Sequence, residues 1–114
     1  MSDLTLPEVF RRAVEVLEAH GWTQGTYRSS SGCLCATGAL AAALGGQIVE
    51  PDDDEQETLF ADREHERLWS DACLAAGEAV GVGRHIVDWN DRPGRTADEV
   101  KALFLRLAEE ADGG

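Results

Sequence analysis

Gly32-Cys33-Leu34-Cys35-Ala36-Thr37-Gly38-Ala39-Leu40-Ala41-Ala42-Ala43-Leu44-Gly45-Gly46 is the stretch on which the fold turns. Ala36, Gly38, Ala39, Ala41, Ala42 and Ala43 are small, and only Leu34, Leu40 and Leu44 are bulky. Small residues on several faces of a helix let neighbouring backbones come close. Upstream, Ser29-Ser30-Ser31-Gly32 offers several N-caps for a helix that runs through Leu44 and stops at Gly45-Gly46. This segment reads as the central, most buried element of the molecule.

Three further helices surround it on sequence grounds. Leu6, Phe10, Ala13, Val14 and Leu17 form a helical stripe over about 7–20, opened by the T-x-x-E box Thr5-Leu6-Pro7-Glu8 and closed by Gly21. Leu68, Trp69, Ala72, Cys73, Ala76 and Val80 give an apolar face over about 63–80, ended by Gly81-Val82-Gly83. A last helix runs from Ala97 to about Ala111, with Val100, Leu103, Phe104 and Leu107 inward. Its start is a capping box, in which the Thr96 hydroxyl accepts from the Glu99 N–H and the Glu99 carboxylate reaches back. Between these lie Gly21–Tyr27, a turn-rich connection that could pair briefly at Thr26-Tyr27-Arg28, and Ile48-Val49, too short to count as a strand. Residues 50–58 read as an exposed acidic loop. The expected fold is therefore all-α, one compact domain over 1–114 with about four helices and tryptophan-bearing loops.

Charge narrows the partners. Lys+Arg 10 against Asp+Glu 22 gives −12, which argues against a nucleic-acid backbone, where cations must neutralise phosphates. Residues 50–66 hold nine acidic groups and one basic, Arg63. A solvated face is the plain reading; an acidic inhibitor or DNA mimic acting through 50–66 is the alternative. No apolar run approaches the roughly 18 residues of a membrane span, and Met-Ser-Asp-Leu-Thr carries no signal region, so a cytoplasmic location is expected.

Several constellations could carry chemistry. Cys33-x-Cys35 lies at the start of the alanine-rich helix, where the dipole favours a thiolate; His85 and Asp88 could complete a triad with Cys35 as nucleophile. Core packing of Cys35 is the competing reading. Cys33 and Cys35 could begin a zinc site, but no paired C-x-x-C knuckles exist. His65 and Cys73 stand about 12 Å apart along a helix at 1.5 Å per residue. Asp88, Asn90, Thr96 and Glu99 fall at positions 1, 3, 9 and 12 of a calcium loop, yet Pro93 occupies the position that needs glycine. No metal or cofactor is expected. The remaining set joins Trp22, Gln24, Tyr27, Trp89, Asn90 and Asp91, with Arg92 and Arg95 at its rim. It offers flat apolar faces with polar handles, suited to a protein or small-molecule partner. The competing reading is that the rings plug the edge of the core while the Asn90 and Asp91 side chains tie up the turn backbone.

Those residues also carry a resemblance. Gly21-Trp22-Thr23-Gln24-Gly25, Cys35-Ala36-Thr37-Gly38-Ala39-Leu40 and Trp89 through Val100 resemble the G-W-x-Q-G, C-x-x-G-A-L and W-N-D-x-P-G-R-T-x-x-E-V motifs of a family of small uncharacterised proteins common in actinobacteria and their phages. The resemblance spans about residues 6–111. It implies a fold and no activity. Cys35 lies on the pattern, whereas Cys33, Cys73 and His85 do not, which weakens the zinc and triad readings. The leading expectation is a non-enzymatic, cytosolic binding module; the acidic inhibitor and a thiol-dependent enzyme at Cys35 are the alternatives.

Overall fold

The structure, a computed structural model, describes residues 5–52, 55–82 and 86–113. In chain order its elements are α1 (Leu6–His20), α2 (Ala36–Ala43), β1 (Gln47–Asp52), β2 (Glu55–Leu59), α3 (Arg63–Ala79), α4 (Ile86–Asn90) and α5 (Ala97–Gly113). The all-α, four-helix expectation is thus corrected. Among the described residues, five helices pack with a two-stranded antiparallel sheet, and the fold is mixed.

The three amphipathic helices form where their apolar stripes predict. α1 buries Val9, Phe10, Ala13, Val14 and Leu17 against the buried Val100, Leu103, Phe104, Leu107 and Ala108 of α5. The Phe10 and Phe104 rings meet at 5.7 Å between centroids. Burying a side chain of this size stabilises the fold by roughly 1.5–3 kcal/mol. α3 starts at Asp62, whose carboxylate accepts from the His65 N–H at 2.9 Å. The Thr96 box closes as expected: Glu99 N–H donates to Thr96 Oγ1 at 3.3 Å and Thr96 N–H to Glu99 Oε1 at 3.2 Å. The Thr5 box does not, since Thr5 makes no side-chain cap bond. Pro7 occupies the second helical position and has no N–H to donate.

α2 is central, as expected, with every residue buried except the half-buried Ala42. Its start is corrected from the serine run to Cys35, which serves as N-cap. The serines instead close a tight loop: Ser29 Oγ accepts from the Cys33 N–H at 3.0 Å, and Ser29 N–H donates to the Cys33 carbonyl at 2.8 Å. Leu34 is held extended, bridging both Trp22 and Arg28, so helix cannot begin before it.

The acidic segment pairs rather than looping out. Gln47 faces Leu59, Ile48 faces Thr58, Val49 faces Glu57 and Asp52 faces Glu55, with a bulge between Val49 and Asp52. Ile48 anchors this hairpin in the core. Gln56 ties it to the chain before α2: its Oε1 accepts from Thr26 Oγ1, Tyr27 N–H and Arg28 N–H at 2.6, 2.8 and 3.1 Å. Its Nε2 donates to the Arg28 carbonyl at 2.9 Å. The tryptophans are also redistributed: Trp89 sits on α4 and only Trp22 lies in irregular chain. Among the described residues, no helix is long and apolar enough to cross a membrane.

Candidate functional site

Asn90, at the end of α4, is fully buried, and every hydrogen-bonding position of its side chain is used. Oδ1 accepts from the Trp22 indole N–H at 2.7 Å and from the Ala36 N–H at 3.0 Å. Nδ2 donates to the Thr23 carbonyl at 3.1 Å and to Asp91 Oδ1 at 3.0 Å. A carboxamide has two donors and two acceptor sites, so nothing is left over. Gln24 Nε2 donates to the Asn90 and Arg92 carbonyls, both at 2.9 Å, capping the end of α4. Gly25, at φ +81°, brings its N–H to Asp91 Oδ1 at 2.8 Å. Arg95 lies 4.0 Å over the Trp89 ring, donates to the Trp89 carbonyl at 3.0 Å and pairs with Glu99 at 2.7 Å. That Arg95 hydrogen bond holds the Glu99 carboxyl below the usual carboxylate range.

The structure therefore brings Trp22, Gln24, Trp89, Asn90, Asp91, Arg92 and Arg95 together, as one clasp. The three stretches 21–25, 35–40 and 89–100 meet at the single Asn90 amide. The polar atoms of this clasp face one another, and Trp89 and Asn90 are buried.

The thiols sit elsewhere and differ in character. Cys35 is buried, with Sγ accepting from the Gly38 N–H at 3.3 Å. Burial pushes this thiol up, and it outweighs the lowering by the N–H groups at the start of α2. Burial, with a smaller contribution from Cys35, carries Cys73 to about 12. Neither thiol is poised as a nucleophile. Cys33 is half-buried, against Gly21. His85 lies outside the described residues, and Asp88 is exposed on α4. Among the described residues no three His, Cys, Asp or Glu groups converge as metal ligands. Iodoacetamide labelling checks the thiols: Cys35 is expected to react only as the protein unfolds, with no rise in rate through about pH 8.5, where an exposed thiol ionises.

A cleft of about 500 Å³ opens beside the clasp, between the chain before α2, α2 itself, α3 and α4. Tyr27, Thr37, Trp69, Cys73, Ile86 and Val87 form its walls, and Ser70 and Asp71 are at its exposed side. A second depression of about 240 Å³ shares Tyr27 and Val87 with it and reaches Cys35, Gln56 and Asp91. Trp69 is fixed by its indole N–H, which donates to the Thr37 carbonyl at 3.1 Å, and by the Phe60 ring at 5.3 Å. The Thr37 hydroxyl, in a residue only 4% exposed, is buried with no hydrogen-bond partner.

With this geometry in place, the sequence profile of a family of unknown function, DUF6197, matches residues 1–110. The chain belongs to DUF6197. No curated protein and no solved structure matches it. Within this DUF6197 chain, the sequence marks the clasp and Tyr27 of the cleft, but not the rest of the cleft. Thr37, Trp69 and Val87 carried no motif chemistry of their own. The available signal was slight: a lone hydroxyl, Thr37, inside an otherwise alanine-rich helix.

Proposed function

We propose that the protein is a non-enzymatic binding module whose ligand is a small molecule held in the Thr37–Trp69 cleft, with the Asn90 clasp as the frame. The observation that carries this reading is the orphan Thr37 hydroxyl. A buried hydroxyl without a partner costs roughly 1–3 kcal/mol, so its presence just behind the wall, in a residue that lines the cleft, is explained by a ligand that reaches it as the wall adjusts. The cleft volume lies within the range of roughly 300–1,000 Å³ usual for small-molecule sites. The clasp fixes two walls, because Trp22, Gln24 and Asn90 tie the chain leading to Tyr27 onto the end of α4.

Thr37→Val tests the reading through stability. Valine matches threonine in shape and removes the orphan oxygen, so the free protein is expected to gain about 1 kcal/mol in urea unfolding. A loss of stability would mean that the hydroxyl is already satisfied, and the reading would fall. The same exchange is expected to weaken any small molecule that hydrogen-bonds in the cleft. This is the trade between stability and function common at binding sites.

A further inference from the structure

We propose that the cleft takes an uncharged, flat heteroaromatic molecule bearing a ring or exocyclic hydrogen-bonding group, and no phosphate or carboxylate. This rests on the reading of the cleft as the ligand site and names the chemistry of its occupant. Two aromatic side chains, Tyr27 and Trp69, line the space together with Ile86 and Val87. The Trp69 N–H is already engaged by the Thr37 carbonyl, so the indole has only its apolar surface to offer a ligand. Its orientation is fixed by that bond and by Phe60, which makes the wall rigid. A flat ring gains most from such a wall, since aromatic pairs are worth roughly 0.5–1.5 kcal/mol beyond the area they bury.

Polarity sets the rest. Thr37 Oγ1 lies buried behind this wall with no partner. It both donates and accepts, so a ring nitrogen, N–H or exocyclic amine that reaches it as the wall adjusts completes its bonding. Among the described lining residues there is no Lys, Arg or His, and Asp71 is the only carboxylate. Tyr27 and Cys73 stay protonated at neutral pH, because burial raises both. With a net charge of −12 on the whole chain, an anion meets an unfavourable field and finds no cation among the described residues of these walls. A saturated ring of equal size fills the space without the stacking.

Protein-observed ¹H–¹⁵N NMR titrations of the full chain with adenine, indole, indole-3-acetate and cyclohexanol separate the possibilities. Adenine and indole are expected to shift the Trp69 indole N–H and the Thr37 amide in a saturable way. Indole-3-acetate is expected to bind about tenfold more weakly than indole, and cyclohexanol more weakly again. Thr37→Val is expected to weaken adenine about fivefold, the loss of one net hydrogen bond. Binding of cyclohexanol at the cleft resonances, without adenine or indole, would overturn the ring chemistry and keep the binding reading. Equal binding of indole-3-acetate would overturn the uncharged class alone. Shifts from none of the four at Trp69 or Thr37, at millimolar concentrations, would overturn both.

Discussion

Asn90→Ala is expected to lower the folding stability by about 3–5 kcal/mol, because it leaves one buried and two half-buried groups unpaired, at roughly 1–3 kcal/mol for a buried one. The groups are the Trp22 indole N–H, the Ala36 N–H and the Thr23 carbonyl, all of which lose their bonds to this one side chain. Partial entry of water, or a shift of Asp91 toward its neighbours, keeps the total below the simple sum. Against a typical stability of about 5–15 kcal/mol, the loss is large enough to read as a fall in urea midpoint at unchanged slope. Asn90→Asp separates the two halves of the amide. It keeps an oxygen for Trp22 and Ala36 but turns the donor that faces Asp91 into an acceptor, placing two carboxylates together. Burial and that neighbour favour the protonated acid, which can still donate. The folded state of this variant then holds a proton that the unfolded chain has released, so its stability falls as pH rises through the carboxylate range. Recovery of part of the loss on acidification is the expected signature. A cost below 1 kcal/mol for Asn90→Ala would mean that the three stretches are joined by something other than this amide.

The same residues show what a sequence can and cannot reveal. α1, α3 and α5 were legible because each has a single apolar stripe at helical spacing, and a stripe needs no knowledge of its partner. The hairpin was not, and its inward face explains why. Gln56 and Thr58 share one face of β2 and are half-buried, while Glu57 and Leu59 on the other are exposed, Leu59 to 52%. A polar inner face held by Gln56 hydrogen bonds leaves no period-two hydrophobic signal. α4 is shorter than two helical turns, so no periodicity could mark it. The clasp was legible as residue types, since tryptophan beside amides is uncommon. Its geometry was not, because the bonds at Asn90 join positions 54 to 68 residues away, and spacing along a chain carries no distance of that kind. Thr37 was least legible of all: an unmade hydrogen bond is a property of surroundings that belong to α3 and α4.

Gly38→Ala is expected to cost about 3 kcal/mol, at the upper end of what overpacking a core costs, although alanine is the better helix former by about 1 kcal/mol. A Cβ at Gly38 would stand 2.5 Å from the Tyr27 carbonyl oxygen, 3.3 Å from its carbon and 3.4 Å from Ile48 Cδ1. The nearest obstacle is backbone, which cannot swing aside as a side chain does. That carbonyl is held by the Cys35 N–H at 3.1 Å, and the Tyr27 and Arg28 N–H groups are held by Gln56. Moving it would loosen the hairpin and displace Tyr27 from the cleft wall at the same time. α2 cannot retreat either, because its other faces are buried against α1, α3 and α4. Ala42→Gly, at the half-buried position of the same helix, supplies the contrast: there the added glycine is expected to cost only the propensity difference of about 1 kcal/mol. The sign at Gly38 decides the matter. If Gly38→Ala raised the urea midpoint, helix propensity would have won over contact, and the close approach of α2 to Tyr27 would be wrong. If it lowers the midpoint and also shifts the Trp69 indole resonance, the small residues of α2 set the shape of the cleft as well as the density of the core.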